Sequence, residues 1–161
     1  PVFGFTDKEF DYTSDLISTA RSASYKTGLF EAKVKIGNSG VTQAFSLQAM
    51  KMLPHIDVFR YEDKKLKAGN FWKNGSDQIR KSIDKTSGSR YTKDFYIYSL
   101  EWSPGKLTWK INNIKFKEES SGIPQEDLYM VFNSSLKDSA KEEGLPSAME
   151  IDWVRVYKAK E

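Results

Sequence analysis

The chain has 161 residues, enough to bury a sizeable core and few enough for one domain. It has no cysteine and one histidine, His55, which excludes disulfide frameworks, thiolate catalysis and multi-histidine metal sites. Lys and Arg number 25 against 22 Asp and Glu, a +3 surplus that no long basic run concentrates, so nucleic acid is not the expected partner.

The dominant hydrophobic period is two. Phe30, Ala32, Val34 and Ile36 alternate with Glu31, Lys33 and Lys35, which predicts a half-buried strand over Leu29 to Ile36. Gly37-Asn38-Ser39-Gly40 and Lys73-Asn74-Gly75-Ser76 are turn signals. Tyr96, Tyr98, Leu100 and Trp102 share one face of a strand over Phe95 to Trp102. Ser103-Pro104-Gly105 and Asn112-Asn113 then bracket a strand over Leu107 to Ile111 and imply a meander of three adjacent strands. After Ser120-Ser121-Gly122, Leu128, Met130 and Phe132 mark another strand, and Met149 to Tyr157 is the last. Short helical turns are expected near Pro124 to Asp127 or in the Lys137 to Glu143 charge cluster. Lysine-rich Asp63 to Lys67 and Lys115 to Glu119 read as solvated hairpin edges, where lysine discourages pairing between molecules. No segment approaches the roughly 20 apolar residues of a membrane span, and no leader pattern opens the sequence. Many short strands at regular spacing make this one all-β domain, a sandwich or jelly roll.

Three segments carry a resemblance. The first runs from Tyr12-Thr13-Ser14 and Ile17-Ser18-Thr19 to Tyr25-Lys26-Thr27-Gly28-Leu29-Phe30-Glu31-Ala32-Lys33-Val34-Lys35. The second is Tyr98-Ser99-Leu100-Glu101-Trp102-Ser103-Pro104-Gly105-Lys106-Leu107-Thr108-Trp109, and the third is Leu145-Pro146-Ser147-Ala148-Met149-Glu150-Ile151-Asp152-Trp153-Val154-Arg155-Val156-Tyr157. In this order and spacing the chain resembles the laminarinase-like glycoside hydrolases of family 16. The resemblance implies a concanavalin-like jelly-roll sandwich of two antiparallel sheets, all-β throughout. It also implies an N-terminally short domain over residues 1–161, part of a larger protein and tethered to other domains that act on glycans. An extracellular, cell-surface or periplasmic location is implied with it.

The chain departs from the family where the family does chemistry. Members carry Glu-Ile-Asp-Ile-x-Glu, or a form one residue shorter, on a strand of the concave face. The matching stretch here is His55-Ile56-Asp57-Val58-Phe59-Arg60. A retaining glycosidase needs a carboxylate nucleophile and a protonated carboxylic acid about 5–5.5 Å apart. His55 holds the nucleophile's place, and Arg60, or Phe59 in the shorter form, holds the acid's. Only the middle carboxylate, Asp57, remains. Arginine cannot serve as a proton donor, because its pKa exceeds about 12. Thr42-Gln43-Ala44-Phe45-Ser46 likewise lacks the two tryptophans that floor the family's sugar subsites. No catalytic residue is expected, and the implied role is a non-catalytic carbohydrate-binding domain holding a polysaccharide, either a β-glucan or an anionic glycan.

The expected ligand-binding residues are His55, Asp57 and Arg60 as a polar floor, with Trp72 as the sugar platform and Asn70 on its strand. Trp102 and Asn133 match family positions near the cleft. The bland readings stand beside these: an Asp57–Arg60 ion pair in a decayed structural module, a core Trp72, and a strand-end Asn133. Phe71 and Trp72 must point oppositely, so one of them is expected in the core. Trp109 and Trp153 read as core residues. A different chemistry is a lyase on uronate polymers, using His55, Arg60 and Tyr61, with Lys67-Ala68-Gly69-Asn70 resembling an alginate-lyase strand motif. No cofactor is expected. The resemblance admits a structural Ca²⁺ with Asp127 and Asp152 among its ligands, although no dedicated calcium loop is present.

Overall fold

Eleven strands form two facing antiparallel sheets in the computed structural model, which describes residues 12–37, 40–136 and 144–158. In chain order they are β1 (Leu16–Ser18), β2 (Gly28–Lys35), β3 (Thr42–Gln48), β4 (His55–Glu62), β5 (Lys65–Lys73), β6 (Ile79–Ser87), β7 (Tyr96–Ser103), β8 (Lys106–Ile111), β9 (Ile114–Glu119), β10 (Tyr129–Ser135) and β11 (Glu150–Tyr157). The six-stranded sheet has the order β1-β10-β3-β4-β5-β6, and the five-stranded sheet β11-β2-β7-β8-β9. This is the expected jelly-roll sandwich. The expected three-strand meander is β7-β8-β9.

The period-two pattern sets the packing. Phe30, Ala32 and Val34 from β2 meet Phe45 and Leu47 from β3 and Ile56, Val58 and Phe59 from β4 in one core. Two tight turns have both central residues at positive φ, Asp63-Lys64 at 50° and 57° and Asn112-Asn113 at 47° and 65°. That twist matches the strands they join. Tyr98 packs on Phe59 with its ring tilted by 41° at 4.4 Å between ring centres, joining the two sheets beneath β4. Burial pushes the Tyr98 hydroxyl's pKa well up, helped by its Tyr91 and Tyr96 neighbours.

Several expectations need correction. Pro124 to Asp127 forms no helical turn: the segment is irregular, bends at Glu126, and then Leu128 pairs with Tyr25. The helical turn among the described residues is the 3-10 segment Ser89–Thr92, which buries Tyr91. The Lys137 to Glu143 expectation lies outside the described residues. Lys117 is not on a solvated edge. It is buried between the sheets, donating to Ser82 Oγ at 2.7 Å and Asp84 Oδ1 at 3.2 Å, with its ammonium over Trp109. Trp109 is core as expected, but Trp153 is not. The β11 register shifts between Ile151 and Trp153, which turns Trp153 outward beside Lys33 and under Arg155.

Gly122 closes one end of the sandwich over Trp72. Its φ is +63°, and a β-carbon there would lie 2.1 Å from Cδ2 of Trp72. Gly122→Ala is therefore expected to cost about 1–3 kcal/mol, read as a lower urea midpoint with unchanged slope.

Candidate functional site

β4 carries an extra residue. Ser46 pairs with Asp57 but Phe45 with Phe59, and on the other side Asp57 pairs with Gly69 but Arg60 with Lys67. Both ladders slip by one around Val58, a β-bulge that leaves Val58 and Phe59 both in the core. Without it, strict alternation would send Arg60 inward. With it, His55, Asp57, Arg60 and Glu62 all stand on the outward face. This selects Arg60, not Phe59, as the partner of the floor.

The three expected floor residues come together. Arg60 donates to Asp57 through Nε at 2.9 Å and Nη2 at 3.2 Å, and His55 Nε2 lies 2.7 Å from Asp57 Oδ1. Asp57 is 3% exposed. Burial pushes its carboxyl up, but the His55 hydrogen bond and the charges of His55 and Arg60 outweigh that and hold it below the ordinary 3.8. An ionised carboxylate only accepts, so His55 Nε2 is the donor of that bond. Burial opposes the charge of Arg60, yet Asp57 and Glu62 keep its guanidinium firmly protonated. Three of the roughly four acceptor sites of the Asp57 carboxylate are thus taken, two on Oδ1 and one on Oδ2. Its role is to position Arg60 and His55. Asp57 also anchors the other sheet, since Trp109 Nε1 donates to its backbone carbonyl at 2.9 Å.

Cross-strand pairing places the rest of the face, because directly opposed residues share a side. One row reads Lys81, Phe71, His55, Gln48, Tyr129, and Gln48 Nε2 donates to the Tyr129 hydroxyl at 2.7 Å. The next reads Ile83, Gly69, Asp57, Ser46, Val131. The third reads Lys85, Lys67, Arg60, Ala44, Asn133, and Lys67 reaches diagonally to Glu62. Small residues at Gly69, Ser46 and Ala44 leave the middle of this floor low.

Of the remaining expected residues, Asn133 shares the face, two strands from Arg60. Asn70, Trp72 and Trp102 do not. Asn70 is fully buried on the opposite side of β5, with Nδ2 donating to the Ser121 and Gly122 carbonyls. Trp72 shares that inner side. It lies under Gly122 and borders a separate depression with Pro54, Ile123 and Pro124. Trp102 belongs to the core, 6.3 Å from Phe30 between ring centres. The aromatic of β5 that reaches the floor is Phe71, edge-on to His55 at 5.6 Å. Sequence reasoning recognised the opposite pointing of Phe71 and Trp72 but assigned them the wrong way round. The missing signal was the register, which sets Phe71 beside His55. Tyr129 and Gln48 were missed for the same reason.

The lyase set does not converge either. Tyr61 points into the core, 2% exposed, with Gly88 against its ring. Asp127 accepts from Ser24, and Asp152 pairs with Lys33 on another strand. Among the described residues no group of three His, Cys, Asp or Glu side chains could hold a metal ion. Neither Asp127 nor Asp152 therefore belongs to such a group. No helix among the described residues is long and apolar enough to cross a membrane.

The glycosyl hydrolases family 16 model matches residues 6–155. The clotting factor G alpha subunit of Tachypleus tridentatus is 23% identical over 174 residues, covering 92% of this chain and 25% of that protein. The chain therefore spans about a quarter of that relative's length. A family 16 endo-glucanase from Bacteroides ovatus superposes with a TM-score of 0.73 at 20% identity, covering 88% of this chain and 73% of the other. The laminarinase catalytic domain of Thermotoga maritima gives 0.76 at 16%, covering 91% and 69%. At these identities the two structures share the fold.

Asp57→Asn is expected to lower stability by about 3 kcal/mol at neutral pH, since it leaves Arg60 without its counter-charge. Because the folded-state pKa of Asp57 is depressed, its stabilisation is complete above the ordinary value and lost as pH falls through the folded one. The gap between wild type and variant should hence shrink below about pH 4, as urea unfolding across pH 2–7 would measure.

Proposed function

The chain belongs to glycosyl hydrolase family 16, and on that premise we propose that it binds a polysaccharide on the outward face of its six-stranded sheet without cleaving it. One observation carries the reading. The buried carboxylate of the floor is ionised and engaged by His55 and by two donors of Arg60. Retaining hydrolysis needs one free carboxylate to attack and a second, protonated, to donate. Asp57 is committed to its neighbours, Arg60 has no proton to give, and Glu62 is taken by Lys67.

Binding needs less. Two of the five guanidinium N–H donors of Arg60 are spent on Asp57, and the side chain is 30% exposed. The rest can fork onto a hydroxyl pair or an anionic group. His55 offers its second ring nitrogen, Nδ1, to a hydroxyl, and Phe71 offers an apolar surface to a sugar ring beside it. Asn133 extends the polar floor along the same row as Arg60. Placement outside the cell, on its surface or in a periplasm, within a larger glycan-handling protein, follows as part of this proposal.

A structural module with a decayed cleft is the second reading, and the Asp57–Arg60 pair is the observation that favours it. Calorimetric titration with soluble polysaccharides separates the two. Binding with no release of reducing ends or unsaturated products is expected. Arg60→Lys, which keeps the charge but loses the fork, should weaken it roughly 10-fold, from a charge-assisted bond worth about 1.5–3 kcal/mol. Phe71→Ala should weaken it several-fold. Turnover would contradict the proposal, and silence across neutral and anionic polymers would leave only the structural module.

A further inference from the structure

The two halves of the outward face differ in charge. On the β3–β10 half stand Ala44, Ser46, Gln48, Tyr129, Val131 and Asn133, all neutral. On the β4–β6 half stand Arg60, Lys65, Lys67, Lys73, Lys81 and Lys85, against Asp57, Glu62 and, in the turn after β5, the Asp77 that holds Lys73. That half alone holds a surplus as large as the whole chain's +3. All three acids are already answered, Asp57 by Arg60, Glu62 by Lys67 and Asp77 by Lys73. Lys65, Lys81 and Lys85 meet no carboxylate within ion-pair distance among the described residues.

These cations are scattered over 26 positions of sequence, which is why no basic run announces them. The β4–β5–β6 ladder assembles them. Arg60, Lys67 and Lys85 are direct cross-strand partners, so their backbones stand about 4.8 Å apart in a line across the strands. The one acid of mid-β6, Asp84, is turned to the other side, where it holds Lys117. Lysine merely guarding a sheet edge would not need to extend inward to β5 and β4. Apolar surface runs through the same patch, with Ile83 40% exposed opposite the gap at Gly69 and Phe71 one row away. Alternating cations and apolar patches match a sugar polymer that presents both anionic substituents and the C–H face of its rings.

We infer that the β4–β6 half-face selects a negatively charged glycan, sulfated or uronate-bearing, with Arg60, Lys65, Lys67, Lys81 and Lys85 as its counter-charges. This rests on the proposed function and names the class of its ligand. Lys65, Lys81 and Lys85 supply attraction and selectivity, while His55 and Phe71 hold the ring.

The test titrates wild type and the variant K65Q/K81Q/K85Q with alginate, a sulfated galactan, neutral laminarin and polyphosphate at low and moderate salt. All three positions are exposed and lie outside the Asp57 floor, so the variant should keep the wild-type melting temperature. Wild type should bind at least one of the two anionic glycans at least 10-fold more tightly than laminarin, with affinity falling steeply as salt screens the charges. The variant should lose about 10-fold on that glycan. Binding to laminarin alone, unchanged in the variant, would overturn this inference and leave the proposed function standing. Silence with every glycan would overturn both. Equal affinity for polyphosphate would show a nonspecific polyanion surface, which also overturns the inference.

Discussion

A carboxylate buried as deeply as Asp57 stays charged only if cations and hydrogen bonds replace the water it has lost, and here the replacement comes from its own strand. His55 takes one oxygen and Arg60 forks across both. That requirement explains the local backbone. A regular β4 would put Arg60 in the core and strand Asp57 without a counter-ion, so the bulge at Val58 is what makes the floor possible. The two features depend on each other: the bulge aligns the ion pair, and the ion pair fixes which side of the bulged strand is wet. Trp109 extends the same constraint to the second sheet through the Asp57 carbonyl.

From this floor the rest of the face follows by register. Each cross-strand partner of His55, Asp57 and Arg60 is set on the same side, giving one half of small and neutral polar residues and another of lysines. A surface of this kind recognises a ligand by donors, acceptors and apolar patches. Among the described residues of its floor, Asp57 and Glu62 are both engaged by cations, whereas glycosidic cleavage turns on a free carboxylic acid beside a free carboxylate. On the function proposed above, the scaffold of a hydrolase family serves in this chain to hold a polymer.

The architecture was legible because alternation is a local signal: Phe30, Ala32, Val34 and Ile36 announce their strand whatever they pair with. The turns Ser103-Pro104-Gly105 and Asn112-Asn113 announced the meander in the same way. The floor was legible too, since His55, Asp57 and Arg60 lie within six positions. What sequence could not supply was register. Phe71 and Trp72 are adjacent aromatics on one strand, and only the pairing of Phe71 with His55 decides which reaches the face. Lys65 and Lys67 read as a solvated edge, but two hairpins bring them onto one face with Arg60, Lys81 and Lys85. Trp153 read as core by its strand pattern, but one shifted residue in β11 turned it out. Asn70 was named for the cleft and is instead a buried anchor for the Ser121–Gly122 turn. In each case a long-range pairing overrode a correct local reading.

The account stands most directly on where a glycan touches the molecule. Amide chemical-shift mapping with a short, soluble oligosaccharide of a sulfated galactan would locate it. The account predicts perturbations confined to the outward face of β4, β5 and β6, strongest around His55, Arg60 and Phe71, with β2, β7 and β8 silent. Shifts centred on the five-stranded sheet, or around Trp72 and Pro124 at the end of the sandwich, would contradict it.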